Sequence, residues 1–95
     1  MIKVLTSYLQ LDKFTKNQDK LIFLFAHYVP NEINELILNY PIDIIAVDSN
    51  TFEALNKKYH VNPNELTLVF IDHNFVIYQT SDKQAIISFL KMKSF

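Results

Sequence analysis

An uninterrupted run of six apolar residues at 21–26 restricts the fold of this chain more than any other feature. It lies between Lys20 and His27, and it is far shorter than the about 20 apolar residues that a membrane span needs. An apolar run of this length without polar alternation is typical of a strand covered on both faces at the centre of an α/β sheet. The residues that follow it therefore lie at the carboxyl end of a central strand, where open α/β sheets usually bind ligands.

The length of 95 residues predicts one small domain, residues 1–95, and the composition indicates that it is globular. Hydrophobic residues make up 49% of the chain and charged residues 20%, which separates it from disordered proteins. The net charge is −1 and no charge block occurs, so we expect neither nucleic acid nor a membrane as a partner. The absence of cysteine excludes disulfides, thiolate catalysis and cysteine-based zinc sites. The amino terminus does not read as a signal peptide, and we expect a cytoplasmic protein or part of a cytoplasmically assembled complex.

Capping signals and apolar spacing divide the chain into alternating strands and helices. Three pairs have capping-box spacing, namely Ser7 with Gln10, Asn50 with Glu53, and Ser81 with Gln84. The predicted strands are residues 2–5, 21–26, 42–47, 66–71 and 75–79, and the predicted helices are residues 8–16, Pro30 to Tyr40 before Pro41, a segment after Asn50, and residues 82–91. The order is β-α-β-α-β-α-β-β-α, which is an α/β fold.

The last two predicted strands are joined by only two or three residues, which favours an antiparallel hairpin. The chain has no glycine, so this turn must be made by Asp72, His73 and Asn74. These are among the few side chains that tolerate a positive φ.

The element order and three segments together resemble the thioredoxin family across essentially the whole chain. Residues 42–48 resemble the third strand of that family, residues 52–61 its third helix with a Tyr-Gly-Val ending, and residues 66–70 its fourth strand. The resemblance implies an α/β thioredoxin-like fold, with a central mixed sheet flanked by helices. We also expect the first and third strands to flank the second.

The resemblance places the active positions of the family on residues that lack its chemistry. The Cys-x-x-Cys motif falls on residues 29–32, which read Val-Pro-Asn-Glu, and the tryptophan before it falls on Tyr28. The buried carboxylate of the family falls on Phe23. Because the thiolate is the nucleophile of thiol–disulfide exchange, the chain is predicted to be redox-inactive.

Two further positions depart from the family pattern. Where the family has a cis-proline before threonine, this chain has Leu66 before Thr67. A cis bond before leucine would cost about 2.5–4 kcal/mol, so we expect a trans bond. His60 stands where the family commonly has glycine.

His27, His60 and Glu32 could together supply the three protein ligands of a zinc enzyme. Their spacing does not require this, and exposed loop histidines are the simpler interpretation. Glu32 is better explained as a first-turn carboxylate that stabilises the helix dipole. His73 belongs to the hairpin turn at the opposite end of the sheet. We therefore predict no metal, no cofactor and no catalytic residue.

The remaining candidate is a contact surface where thioredoxin-like proteins bind extended peptides. Its predicted residues are His27, Tyr28, Val29, Pro30, Asn31, Glu32, Glu65, Leu66 and Thr67. In the alternative interpretation, Val29 and Leu66 are simply buried and Tyr28 is a lone exposed ring.

The sequence thus favours a non-redox domain that binds a protein partner, with homo- or hetero-oligomers left open. The second hypothesis is a structural subunit of a larger assembly, such as a phage virion or a secretion machine. The third is a metal-dependent enzyme built on histidine and glutamate.

Overall fold

The computed structural model describes residues 2–39 and 42–92, and these form the predicted order of strands and helices. The strands are β1 (Ile2–Val4), β2 (Lys20–Phe25), β3 (Ile44–Val47), β4 (Thr67–Asp72) and β5 (Phe75–Thr80). The helices are α1 (Gln10–Thr15), α2 (Asn31–Asn39), α3 (Glu53–Lys58) and α4 (Lys83–Met92). The predicted helix end at Tyr40 and Pro41 lies outside the described residues.

One mixed sheet contains all five strands in the order β1-β3-β2-β4-β5. β1 and β2 run parallel to β3, while β4 runs antiparallel to both β2 and β5. The prediction that the first and third strands flank the second is wrong, because β2 lies between β3 and β4. Burial explains this order. β4 is buried at five of its six positions, whereas β1 has three residues with none fully buried and suits an edge.

The prediction that the central strand is covered on both faces is confirmed. Phe23 and Phe25 point into one core cluster, and Leu24 points into the other. All three are at most 2% exposed. The first cluster also contains Leu5, Ile45, Val47, Phe52, Leu55, Val61, Val69 and Ile71, and the second contains Ile33, Ile37, Ile42, Ile44, Leu68, Phe70, Ile86, Phe89 and Leu90. Burial of this apolar surface is the main stabilising contribution.

The predicted capping box does not cap the first helix, which begins two residues later than predicted. α1 begins at Gln10, whose side-chain oxygen accepts a hydrogen bond from the N–H of Thr6. Ser7 Oγ accepts a hydrogen bond from the N–H of Leu9. Both side chains therefore stabilise the turn that precedes α1, and Leu9 occupies the N-cap position without a side-chain cap.

The predicted caps of the later helices are wrong as well. α3 begins after Phe52 without a side-chain cap, and Asn50 instead bonds a histidine ring of the neighbouring loop. At α4, Oδ1 of Asp82 accepts the N–H of Gln84, so Asp82 is the N-cap. Ser81 Oγ is engaged with another partner, described below.

Positive φ angles occur at Asn17, which was not predicted, and at three positions that the sequence singled out. His73 (φ 49°) and Asn74 (φ 71°) form the β4–β5 turn, as expected. His60 has φ 56°, which is the conformation that a glycine at this position would adopt without strain. Its N–H donates to the carbonyl of Lys57, and the N–H of Val61 donates to the carbonyl of Asn56. These bonds form a Schellman motif that ends α3.

One prediction about the backbone is confirmed within residues 2–39 and 42–92. This part of the chain has no cis peptide bond, so the bond before Leu66 is trans. None of its helices combines the length and apolar character that crossing a bilayer requires.

Candidate functional site

The candidate site is a cleft where two adjacent strands separate. Phe25, the last residue of β2, is paired with Thr67, the first residue of β4. Beyond this pair the chains diverge, so the corner after β2 and the loop before β4 become facing walls. The cleft has a volume of about 230 Å³. Its lining residues are Ala26, His27, Tyr28, Pro30, Pro63, Asn64, Glu65 and Leu66.

The first wall is the corner that joins β2 to α2. Tyr28 is 77% exposed, whereas Val29 and Pro30 are half-buried. The carbonyl of Pro30 accepts the N–H groups of Ile33 and Asn34, as expected for proline at a helix start. The side-chain amide of Asn34 also donates to the carbonyl of Val29 at 3.4 Å. Hydrogen bonds therefore join the corner to α2, and the Tyr28 ring is exposed beside it.

The two walls rest on the same core. Val29 and Leu66 are both partly buried against the cluster that contains Leu24. The predicted proximity of the corner and the loop is thus present in the structure. Thr67 differs from the other predicted surface residues, because it is 1% exposed and its hydroxyl lies 2.8 Å from Ser81 Oγ. Only its backbone remains a candidate for contact with a partner.

Hydrogen bonds from buried side chains hold the second wall. Ser49 is 1% exposed, and its Oγ donates to the carbonyl of Pro63 at 3.0 Å. The side-chain amide of Asn56 donates to the carbonyl of Ser49 at 2.6 Å. The N–H of Glu65 donates to the carbonyl of Asn62. This chain of bonds links the wall to α3, so α3 positions a surface that it does not line.

A polar cluster borders the cleft at the carboxyl ends of β2 and β3. Nδ1 of His27 lies 2.9 Å from the side-chain nitrogen of Asn50 and 3.6 Å from Oδ1 of Asp48. The N–H of Asn50 and the hydroxyl of Thr51 donate to the Asp48 carboxylate. The Asn50 N–H chiefly lowers the pKa of Asp48 below its usual value, partial burial opposes this shift, and Thr51 and His27 lower the pKa further.

This cluster was not predicted from the sequence, because residues 48–50 were interpreted as a break between elements and Asn50 as the cap of the following helix. The available signal was that His27 and Asp48 each follow a predicted apolar strand. Since the carboxyl ends of adjacent parallel strands meet at one edge, the two residues could have been expected to approach each other.

The hypothetical metal site does not assemble. The described residues contain no group of three histidine, cysteine, aspartate or glutamate side chains placed to hold a metal ion. Glu32 instead pairs with Nζ of Lys83 at 3.3 Å, and His27 bonds Asn50. His73 contacts Asp72 and Asp19 at the amino end of β2, the opposite end of the sheet from the cleft, as predicted.

The residues of the cleft carry no thiol chemistry. The chain contains no cysteine, so thiol–disulfide exchange cannot take place at residues 29–32, whatever the backbone geometry. The groups that line the cleft are an exposed aromatic ring, apolar prolines and leucine, and polar side chains at the rim. These groups can form van der Waals contacts and hydrogen bonds.

The comparisons with known proteins identify the fold of this chain and no family to which it belongs. No protein-family model matches the sequence, and no curated protein is significantly similar to it. Solved structures are similar over nearly the whole chain. Reduced thioredoxin of Schistosoma mansoni matches with a TM-score of 0.73 and 15% identity, over 99% of this chain and 98% of that chain.

Two other thioredoxins agree. Thioredoxin of Plasmodium falciparum has a TM-score of 0.71 and 15% identity, covering 95% of this chain and 97% of that chain. Oxidized mitochondrial thioredoxin 3 of Saccharomyces cerevisiae has a TM-score of 0.69 and 21% identity, covering 96% of this chain and 94% of that chain. The chain therefore has the thioredoxin fold, without the cysteines on which thioredoxin chemistry depends.

Proposed function

We propose that this chain is a non-redox protein-binding domain that holds an extended segment of a partner protein in the cleft. The observation that carries the proposal is the position of Tyr28. Its ring is 77% exposed on the corner that joins β2 to α2, and it lines a cleft formed by the diverging ends of β2 and β4. Exposed aromatic rings next to a pocket are frequent anchors of protein interfaces.

The size of the cleft supports a peptide rather than a small organic ligand. Sites for drug-sized molecules usually occupy about 300–1,000 Å³, whereas this cleft measures about 230 Å³. A volume of that size suits one or two side chains of a partner whose main chain continues over the surface. The lining combines the polar residues His27, Asn64 and Glu65 with Tyr28, Pro30 and Leu66, and protein interfaces use both kinds of group.

Catalysis is not part of the proposal. Enzymatic chemistry at this site would need a nucleophile or an acid–base pair. Asp48 and His27 lie side by side, but their hydrogen bonds go to Asn50 and Thr51 in a well-solvated cluster. These hydrogen bonds hold the loop that follows β3.

A cytoplasmic location of the protein remains a prediction.

The proposal is tested with a displayed library of random extended peptides. Peptides selected on the unmodified protein should lose at least tenfold in affinity on Tyr28→Ala, which removes the ring, and on Pro30→Glu, which adds a charge to the wall. Leu38→Ala is the matched control, because Leu38 is 83% exposed at the far end of α2. Unchanged binding by both cleft variants would remove this surface from consideration.

A structural subunit of a larger assembly is the second candidate, and one observation favours it. β5 leaves a stretch of large apolar side chains exposed, which is uncommon for a protein that acts as a free monomer. A strictly oligomeric sedimentation profile, together with neighbouring genes for assembly components, would favour this candidate over a free adaptor. A protein that is monomeric at low concentration and associates only as its concentration rises would favour the adaptor.

A further inference from the structure

The charged groups at the cleft are of one sign. Among the described residues that line it, Glu65 is the one that carries a formal charge when histidine is neutral, and its side chain is exposed. The carboxylate of Asp48 borders the cleft, with Oδ1 3.6 Å from Nδ1 of His27. The N–H of Asn50 and the hydroxyl of Thr51 lower the pKa of Asp48, so this second carboxylate is ionised at neutral pH.

Two lysines lie close to the cleft without lining it. Nζ of Lys83 is 3.3 Å from Oε1 of Glu32, so the charges of this pair offset each other. Lys57 lines a separate pocket that shares only Pro63 with the cleft, and Glu53 lines that pocket too. The chain has no arginine, and no lysine within residues 2–39 and 42–92 lines the cleft. The lining as a whole is therefore negative.

The ring of Tyr28 is a second group that attracts cations. The face of a tyrosine ring attracts a guanidinium or ammonium group that lies within about 6 Å of its centroid. Tyr28 is largely exposed, and in the part of the chain that the structure describes no lysine lies over its ring. The ring is thus open to a cation supplied by a partner.

We propose that the partner segment held in the cleft is basic, with an arginine or lysine side chain between the Tyr28 ring and the Glu65 carboxylate. This inference rests on the proposed function and adds the charge of the partner to it. Tyr28 and Glu65 lie on opposite walls of a cleft of about 230 Å³, so one long cationic side chain is placed to contact both. Arginine suits the position better than lysine, because its planar guanidinium stacks on aromatic rings and bonds carboxylates through several N–H groups.

Partners of other charge fit this lining less well. A carboxylate of the partner would approach like charges, which disfavours binding. A wholly apolar segment would remove water from the Glu65 carboxylate without replacing its hydrogen bonds. The neighbouring residue of the partner is expected to be apolar, because Pro30 and Leu66 line the same cleft. Pro30→Glu therefore still weakens binding, since its carboxylate would face that apolar side chain.

The first test is the composition of the peptides that a random displayed library yields at about pH 8, where histidine side chains are uncharged. Peptides selected on the unmodified protein should contain arginine and lysine at least about twofold more often than the unselected library does. Glu65→Gln should lower this excess. Glu35→Gln is the matched control, because it removes the same charge from an exposed position of α2 outside the cleft and should keep the excess.

The second test measures the affinity of one selected peptide by isothermal titration calorimetry. Replacing its arginine by citrulline, or its lysine by acetyl-lysine, removes the charge and keeps a similar shape. This change should weaken binding to the unmodified protein about threefold or more, and it should have a smaller effect on the Glu65→Gln variant. The charged peptide should also bind more weakly as NaCl rises from about 20 to 500 mM, because salt screens the attraction.

Three results would overturn this inference: selected peptides without an excess of basic residues, an excess that Glu65→Gln and Glu35→Gln lower equally, or equal affinities of the charged and neutral peptides. Tyr28→Ala then separates the two proposals. If it still weakens binding, the cleft holds an uncharged partner and only the inference about charge fails. If it does not, or if the library yields no binder, the proposed function fails as well. Circular dichroism establishes that each variant keeps its fold.

Discussion

The buried hydroxyl of Ser49 donates a hydrogen bond to the carbonyl of Pro63, 3.0 Å away and 14 residues further along the chain. Ser49 follows β3, and Pro63 belongs to the loop that forms one wall of the cleft. Asn56 of α3 in turn holds the carbonyl of Ser49. The wall opposite Tyr28 is therefore set by side chains that a partner would never touch.

Ser49→Ala should lower the free energy of unfolding by about 1 kcal/mol, because one intramolecular hydrogen bond is lost. Urea denaturation measures this change. Ser88→Ala is the matched control, since Ser88 lies on the exposed face of α4 and its replacement should shift stability by no more than about 0.5 kcal/mol. Equal effects of the two replacements would show that the Ser49 bond does not contribute.

His60→Gly should raise the free energy of unfolding by about 0.5–1 kcal/mol, because it removes the cost of a β-carbon at positive φ. The φ of His60 is 56°, in the Schellman motif that ends α3. Lys57→Gly, three residues earlier inside α3, should instead destabilise by up to about 1 kcal/mol. Thermal and urea denaturation of both variants test the pair. A destabilised His60→Gly protein would contradict the assigned conformation.

Asp82→Ala should cost about 1 kcal/mol, because it removes the side-chain oxygen that accepts the N–H of Gln84 at the start of α4. Asp82→Asn keeps an acceptor of the same shape and should retain most of this stability. The measurement is the unfolding midpoint in urea. If the asparagine and alanine variants were equally destabilised, the contribution of Asp82 would come from its charge rather than from capping.

The stability contributed by Asp48 should depend on pH. Its pKa is lowered in the folded protein, chiefly by the N–H of Asn50, so the folded state binds fewer protons near that pKa than the unfolded state. This contribution is complete above the unfolded pKa of about 3.9 and is lost as pH falls through the lower folded value. The difference in unfolding free energy between native protein and Asp48→Asn should therefore shrink below about pH 4.

Thr51→Val provides the independent check on the Asp48 cluster. It removes the hydroxyl that donates to the carboxylate at 3.1 Å, and it should move the pKa of Asp48 part of the way back toward its usual value. A carbon-detected NMR titration of the Asp48 carboxyl group measures this directly. An unchanged pKa would mean that Thr51 does not contribute to the shift.

The fold could be predicted from the sequence where apolar residues form long or regular patterns. The run at 21–26 identified the central strand, and the segments at 42–48, 52–61 and 66–70 pointed to the thioredoxin fold. The order of the strands in the sheet was harder to predict than the strands themselves. The prediction about β1 was wrong because neighbours in a sheet are decided by how much surface each strand can bury, and β4 buries more than β1.

Helix caps were mispredicted because several residues near each start could serve as the cap. At α4, Thr80, Ser81 and Asp82 are all suitable by type, and the choice depends on a tertiary contact. Ser81 lies 2.8 Å from the hydroxyl of the buried Thr67, so Asp82 caps the helix instead. Local spacing alone cannot reveal a partner from another strand.

The candidate site could be located but not described from the sequence. The corner at 27–32 and the loop before β4 were predicted to meet, and they do. The burial of Thr67, the contact of His27 with Asn50 and the bond from Ser49 to Pro63 depend on which loops become neighbours. The sequence carries no periodic signal for such contacts.

The most direct test of the central claim is to map a selected peptide onto the protein by NMR. Amide chemical shifts of isotope-labelled protein are followed as the peptide is added. The account predicts that the changes concentrate in the corner at residues 27–32 and in the loop at residues 64–67, the two segments that contribute the walls of the cleft. Changes confined to β5 or to the α1 and α3 side of the sheet, with residues 27–32 unaffected, would contradict it.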